Sequence, residues 1–458
     1  MNKETLVNTV REMGIVGAGG AGFPTHVKLN ATCDTVIANG AECEPLLGSD
    51  KYLMATEGPK IIKALEWVME ACGARRGIIA LKAKEKSIIM QLKQQLKDQL
   101  KNHKIELFAL ENFYPAGDEH VLVHEVTGRI VPQGNIPLSI GCIVENVETL
   151  KNIHDAIEGK EPVTHRYLTC TGNVAKPSVL QAPIGMTAEE IIEKCGGAIG
   201  GDNNDDFVLL LGGPMMGWIE RDIKTPITKT TSAIIVLSPD HPLVQKKTKP
   251  LSTIIKQSKA VCCQCMYCTE LCPRYLLGHH LEPHKIMRQI SLGLEEPQTP
   301  ILNAGLCSEC GLCEVYACVM ELSPRIVNMT IKQELQAKGI SLPSNTNTDI
   351  KEFTPHAMLN YRKTPLGRLI NRLHLEEYSK KPLVKGITLK TNRIELLLKQ
   401  HIGVPALPVV KQGQQLSSGT LVAEIPEGKI GARIHTGISG SVTHIDEERI
   451  IITQEKSG

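Results

Sequence analysis

The stretch Gly17-Ala18-Gly19-Gly20-Ala21-Gly22-Phe23-Pro24-Thr25-His26-Val27-Lys28 (GAGGAGFPTHVK) contains G-x-G-x-x-G. This is the spacing of a dinucleotide-binding turn, in which glycines let the backbone approach a pyrophosphate at a helix N-terminus. Such a turn needs a strand before the glycines and a helix opening on them. Here LVNTVREMGIV precedes the loop with Leu6, Val7, Val10 and Met13 at helical spacing, and Phe23-Pro24 follows it. The flanks are wrong for a Rossmann turn. Taken alone, the loop reads equally as a structural turn or as a phosphate or flavin cradle built from backbone N–H groups.

Around this loop lies a chain of 458 residues, long enough for two to four domains, because single cores rarely grow past about 250 to 300 residues. With 42% hydrophobic residues, 22% charged residues and a net charge of +2, it gives no electrostatic case for binding nucleic acid. The N-terminus has charges throughout and no apolar core of a secretion signal. No run approaches the roughly 18 apolar residues of a membrane span, so a soluble protein is expected.

Residues 1 to 160 alternate buried-strand runs with helical patterns. TVIANGAE (35–42), GIIALKA (77–83) and IELFALE (105–111) read as strands, and Ile88, Ile89, Leu92, Leu96 and Leu100 recur at helical spacing between the last two. That alternation predicts an α/β layer on a mostly parallel sheet. RYLTCTG, FVLLLGG and SAIIVL surround the helical TAEEIIEKCGG, which predicts a small α+β module over 163–245. A cysteine-rich part follows (250–335), then a polar linker or helical excursion (336–380) containing SLPSNTNTDIKEFTP. Glycine turns between short β runs predict a small barrel or sandwich over 381–458. The expected class is thus multidomain, α/β and α+β.

Nine of the 15 cysteines lie between Cys262 and Cys318. In so large a chain without a signal, metal ligation in a reducing cytoplasm fits better than a disulfide framework. Cys262-x2-Cys265-x2-Cys268-x3-Cys272-Pro273 has the bacterial ferredoxin spacing for a [4Fe-4S] cluster, and Cys307-x2-Cys310-x2-Cys313-x4-Cys318 repeats it with one extra residue. Three thiolates on a tight loop each reach one iron of a cubane, and a distant fourth closes it. In two-cluster ferredoxins that fourth cysteine ligates the other cluster. The expectation is Cys262, Cys265, Cys268 and Cys318 on one cluster and Cys307, Cys310, Cys313 and Cys272 on the other, with Cys263 a neighbour. Zinc, which also uses C-x2-C pairs, is the alternative. His279, His280 and His284 between the motifs read as surface or packing residues.

GAGGAGFPTHVK, ending in Lys28, resembles the flavin loop of the NADH-oxidising, FMN-binding subunit of respiratory complex I. Asn39-Gly40-Ala41-Glu42-Cys43-Glu44-Pro45, Tyr114-Pro115-Ala116-Gly117-Asp118-Glu119 and Val144-Glu145-Asn146-Val147-Glu148-Thr149-Leu150 resemble further motifs of that family, in the same order. Gly172-Asn173-Val174-Ala175-Lys176-Pro177 resembles its β-grasp (SLBB) domain. The resemblance implies FMN against Gly17, Gly19, Gly20, Gly22, Lys28, Asn39, Tyr114, Gly117, Asp118 and Asn146. It also implies Glu42, Glu44 and Glu119 as the catalytic carboxylates near flavin and nicotinamide. Asp118, Glu145 and Ala41 depart from the family's residues at their positions.

Two ferredoxin motifs and a C-terminal barrel-sandwich segment (VPALPVVKQGQQLSSGTLVAEI…IHTGISGSVTHI) resemble the RnfC component of the Rnf electron-transport complex. In this domain order they resemble the corrinoid reductases of propanediol-utilisation microcompartments more closely. Hydride donors give two electrons and Fe-S clusters accept one, so a flavin must stand between. The resemblance implies NADH, FMN, two [4Fe-4S] clusters and a cobalamin acceptor, for coenzyme regeneration in propanediol degradation. An adenosyltransferase or shell protein is the implied partner, and the implied location is the cytoplasm, free or inside a microcompartment. An Rnf-like donor to another reductase and a non-catalytic scaffold with a vestigial flavin site are the alternatives.

Overall fold

The computed structural model describes residues 2–99, 104–200, 206–293, 299–340 and 353–454. The N-terminal part is built on β1 (Thr35–Gly40), β2 (Arg76–Lys82), β3 (Ile105–Leu110), the two-residue β4 (Phe113–Tyr114) and β5 (Cys142–Asn146). Four of these form one parallel sheet in the order β3-β2-β1-β5. Side chains alternate between its faces. Val36, Ala38, Ile79, Leu81 and Ile143 pack into one core, and Ile37, Ile78, Ala80 and Val144 into another. Burial on both faces explains the unbroken apolar runs.

The helices of this part are α1 (Lys3–Glu12), α2 (Thr25–Leu29), α3 (Ser49–Thr56), α4 (Gly58–Cys72), α5 (Lys86–Gln99), α6 (Glu119–Thr127) and α7 (Val147–Glu158). Helix α4 buries Ile61, Ile62, Leu65 and Val68 against the first core and stops at Gly73, whose left-handed backbone closes the C-terminus. Helix α6 covers the other face with Leu122, Val123 and Val126. Truncating a fully buried core side chain such as Ile79 to alanine costs about 2–5 kcal/mol.

The middle module carries β6 (His165–Gly172), β7 (Ser178–Pro183), α8 (Ala188–Lys194), β8 (Val208–Leu211), β9 (Trp218–Glu220) and β10 (Ala233–Leu237). Its six-stranded sheet is completed by β12 (Val384–Thr388), which runs parallel to β7 at the edge. That strand falls inside the 381–458 segment expected to form the barrel. It is mostly exposed and has no buried alternation, so its pattern did not point to the distant sheet edge.

Of the expected linker, 341–352 lie outside the described residues. Its start continues helix Pro324–Ala337. Further on, β11 (Thr364–Pro365) pairs with β4, and Leu366 and Leu369 of the following helix bury against Tyr114 and Cys310. The second half is therefore a strap joining the N-terminal domain to the cysteine-rich part. The C-terminal strands form two small sheets closing on one core around Ile394, Leu396, Val422, Ile434, Ile450 and Ile452. No helix among the described residues is long and apolar enough to cross a membrane.

Candidate active site

Ligands of parallel α/β sheets bind in the crevice beyond the carboxyl ends of the strands. That edge collects the sequence motifs: Asn39–Pro45 leaves β1, Tyr114–Glu119 follows β3 and β4, and Asn146 ends β5. The glycine loop crosses the same edge. Gly17 N–H donates to the Phe23 carbonyl and Ala18 N–H to Thr149 Oγ1 at 3.0 Å, which folds the loop onto the start of α7. Arg166 of β6 secures it from outside. Its guanidinium donates to the Ala18 carbonyl at 2.8 Å and to the Thr231 carbonyl at 3.0 Å, and it is ion-paired with buried Glu148.

The glycines differ in what they face. Gly22 has φ +75°, and a Cβ there would press against Thr230 and the His401 backbone, so it serves packing between modules. A Cβ on Gly19 would meet Asn146 Nδ2 at 3.0 Å, whereas one on Gly20 would meet nothing within 4 Å. Gly19 and Gly20 are exposed, and the space beside Gly20 is open.

Below the loop, Asn146 caps α7 through its side-chain oxygen, which accepts from Glu148 N–H at 2.8 Å, and turns its amide toward Asp50 at 3.1 and 3.2 Å. Burial and the nearby Glu42 push the Asp50 carboxyl up to about 8. Glu42 accepts from Asp50 N–H at 3.0 Å and lies 3.5 Å from Lys51 Nζ. Lys28 donates to the Val144 carbonyl at 3.0 Å and pairs with Glu119 at 3.3 Å and buried Glu145 at 3.9 Å. Burial pulls its pKa down, but the two carboxylates raise it overall. Asn39 Nδ2 donates to the Gly117 carbonyl at 3.0 Å, joining two motifs.

Besides Gly22, three of the expected site residues face elsewhere. Glu44 accepts from the amides of Met215 and Met216 at 2.8 and 2.9 Å, so its carboxylate is embedded in the middle module. Asp118 caps α6 and pairs with Arg274 at 3.0 Å, two residues beyond Cys272. Tyr114 is fully buried and its hydroxyl donates to the Cys310 carbonyl at 2.8 Å.

The two cysteine loops share a backbone. Gln264 and Met266 flank Cys265 with φ of 54° and 67°, and Glu309 and Gly311 flank Cys310 with 61° and 80°. Left-handed non-glycine residues are costly and persist where the surrounding structure needs them. Here they accompany the curl of each cysteine loop. Cys318 shares a concavity with Cys262, Cys265 and Cys268. Cys272 lies with the other triplet: burial and the adjacent Cys307 push its thiol up to about 12. The second set, Cys272, Cys307, Cys310 and Cys313, is entirely buried, while Cys265 and Cys263 are exposed. Between the motifs, His279 is buried against the Val131 carbonyl, His284 bonds Thr269 and His280 is exposed.

Family comparisons match this architecture piece by piece. They find the Nuo51 FMN-binding domain over residues 10–155, the SLBB domain over 167–218, a 4Fe-4S dicluster domain over 261–323 and the RnfC barrel sandwich hybrid domain over 370–457. The cobalamin reductase PduS of Citrobacter freundii is 41% identical over 451 residues, covering 98% of this chain and 96% of the relative. That of Salmonella typhimurium is 38% identical over 455 residues, 99% and 97% of the two chains. The chain belongs to the cobalamin reductase PduS family. A component of the Na(+)-translocating ferredoxin:NAD(+) oxidoreductase complex of Acetobacterium woodii is 34% identical over 281 residues, 60% of this chain and 59% of that one.

In this member of the cobalamin reductase family, the crevice suits the group that the FMN-binding fold implies. Lys82, at the end of β2, is 3% exposed and its Nζ has no hydrogen-bond partner among the described residues. Burial brings its pKa down to about 8, with Cys43 and Glu42 nearby. An orphaned cation and an exposed glycine loop with room beside Gly20 are what a phosphate-bearing, hydrogen-bonding flavin would satisfy. Four residues of the site lie outside the sequence expectations: Asp50, Lys82, Arg166 and Arg274. For Asp50 and Lys82 the available signal was position, one in the first turn of the helix after the Asn39–Pro45 motif and one ending an apolar strand.

Proposed function

We propose that this chain is an oxidoreductase that uses NADH to reduce a corrinoid, with FMN in the crevice at the carboxyl edge of the parallel sheet and two [4Fe-4S] clusters on the cysteine loops. Bound FMN would supply the conversion between hydride and single electrons, and the clusters would carry electrons singly. The amides of Gly19 and Gly20 would face the cofactor's phosphate, and Lys82, near Cys43 and Glu42, would offer its charge to an acceptor of the bound cofactor. Asp50 orients Asn146, and Glu42 and Glu119 stand at the crevice, Glu119 held by Lys28. Cys272, Cys307, Cys310 and Cys313 would hold the buried cluster, and Cys262, Cys265, Cys268 and Cys318 the outer one.

The observation that carries this reading is the Tyr114–Cys310 hydrogen bond. It seats the edge of the flavin crevice on the loop of the buried cysteine set, while the other set opens to the surface. Tyr114 packs there with Leu47, Met215 and Leu366 and keeps water out of the junction. The reading extends to an adenosyltransferase as consumer of the reduced corrinoid, and to enclosure with it in a microcompartment.

The test uses protein reconstituted with iron, sulfide and FMN. NADH should drive formation of cob(I)alamin, trapped by adenosylation, faster than free reduced flavin does. Cys265→Ala should lose about one cluster's iron while NADH still bleaches the flavin. No FMN binding and no NADH-dependent dye reduction would overturn the proposal.

A further inference from the structure

Beside the cysteine loops, walled in part by Leu243, Val315 and Leu373 of the core that holds Tyr114, lies a cavity of about 320 Å³ that none of the site residues above lines. Its volume falls within the range of small-ligand pockets. Lys246 and Lys249 enter from the helix Pro242–Lys247 and the turn after it, and Arg372 and His374 from the end of the helix Leu366–Arg372. Among the described residues, Glu321 is the only carboxylate in the lining. It lies 3.8 Å from Arg372, and both side chains are well exposed, so the pair is weak. Glu314, which also acts on Lys246, is held by Arg325 at 2.8 Å. The lining therefore carries surplus positive charge.

The cavity also touches the redox part of the chain. Val315 forms part of its wall, between Cys313 and Cys318, and Arg372 Nε donates to the Val315 carbonyl at 3.3 Å. Cys318 is close enough to Lys246 to act on its charge. A ligand in this cavity would thus lie against the segment joining the two cysteine sets. His374 holds φ +57° at the rim, a conformation that a non-glycine residue adopts at a cost.

We propose that this cavity binds the phosphodiester-bearing arm of the corrinoid acceptor. The proposal rests on the corrinoid-reductase reading. Lysine and arginine make charge-assisted hydrogen bonds to phosphate oxygens, the arginine in a fork. The cavity takes the anionic arm, and the bulk of the macrocycle stays outside it, at the surface by the outer cysteine loop.

The test is equilibrium binding of hydroxocobalamin and of dicyanocobinamide, which lacks the phosphodiester, to the reconstituted holoprotein. The parent should bind hydroxocobalamin at least tenfold more tightly, with an affinity that falls as salt rises. Lys246→Gln/Arg372→Gln should remove that preference while iron content, FMN content and the KM for NADH in dye reduction stay at parental values. Because Arg372 also supports Val315, Lys246→Gln/Lys249→Gln serves as a second variant and should give the same loss. Equal affinity of the parent for the two corrinoids, or parental cobalamin binding in both variants, would overturn the assignment. So would a rise in the KM for NADH with corrinoid binding unchanged. If the parent reduces hydroxocobalamin while both variants bind it normally, the cavity assignment fails and the corrinoid-reductase reading stands. If the parent neither binds nor reduces it, both fail.

Discussion

Tyr114 and Cys310 are 196 positions apart in the chain, and the phenol of the first donates to the backbone carbonyl of the second at 2.8 Å. The contact is fully buried, so neither group can turn to water. Tyr114→Phe leaves that carbonyl without its partner, at a cost of about 1–3 kcal/mol. The variant should melt at a lower temperature and keep its FMN and its iron. Its buried cluster should show an altered electron paramagnetic resonance signal. An unchanged melting temperature and spectrum would show that the hydrogen bond supports nothing.

Gly19 and Gly20 give a paired comparison. Gly20→Ala places its methyl in open space, so the cofactor-free protein should melt as the parent does while binding FMN more weakly. Gly19→Ala meets Asn146 at 3.0 Å and should also disturb the Asn146–Asp50 contact, lowering stability with or without cofactor. Calorimetry and flavin fluorescence titration separate the two. Equal FMN affinity in Gly20→Ala and parent would move the cofactor off this loop.

Lys82 has a folded-state pKa of about 8 against about 10.4 for a free lysine. Holding its charge therefore destabilises the fold fully below pH 8 and not at all above the free value. Lys82→Met should raise the melting temperature of the cofactor-free protein at pH 7, with the gain shrinking toward pH 10, and should weaken FMN binding. A variant that is more stable yet binds FMN as well as the parent would leave Lys82 without a ligand role.

For Asp50 the sign runs the other way. Its pKa rises on folding from about 4 to about 8, so the folded chain holds a proton that the unfolded chain has released, and stability falls as pH rises between those values. Asp50→Asn should gain melting temperature over the parent progressively from pH 5 to pH 8 and level off above. A gain that does not vary with pH would mean that the charge is not what the crevice disfavours.

Glu44 distinguishes a clamp from a catalyst. Its two amide partners and the close approach of Gly213 make it a strut between modules. Glu44→Ala should lower the melting temperature, since it removes the acceptor of the Met215 and Met216 amides, and Glu44→Gln should lower it less. Loss of NADH oxidation in Glu44→Gln at parental stability would instead assign the carboxylate a chemical role.

Glu44 and Glu42 part ways at a backbone turn that their spacing does not encode. Both sit in Asn39–Pro45, and both were expected at the flavin. Glu42 and Leu46 adopt left-handed backbones, φ 32° and 69°, and the chain turns so that one carboxylate stays in the crevice while the other enters the middle module. No spacing rule encodes that turn. The parallel strands were legible because burial on both faces leaves continuous apolar runs, and the cysteine loops because a cubane dictates its own spacing. Asp50 and Arg166 were not, since each acts through partners supplied by other elements, Asn146 for Asp50 and Glu148 with Ala18 for Arg166; nor was Lys82, whose Nζ has no hydrogen-bond partner among the described residues. The strap at Thr364–Pro365 was hidden for the same reason, as its partner strand lies some 250 residues upstream.

Strand Val384–Thr388 leaves the last module and finishes the sheet of an earlier one. The boundaries along the sequence are thus not seams along which the protein can be cut. A chain shortened before residue 384 would expose the backbone of Ser178–Pro183 as a bare sheet edge, a template for pairing with another molecule. Rearranging the order of these modules would require a substitute for that one strand, and so the final segment acts as a latch on a domain two hundred residues away.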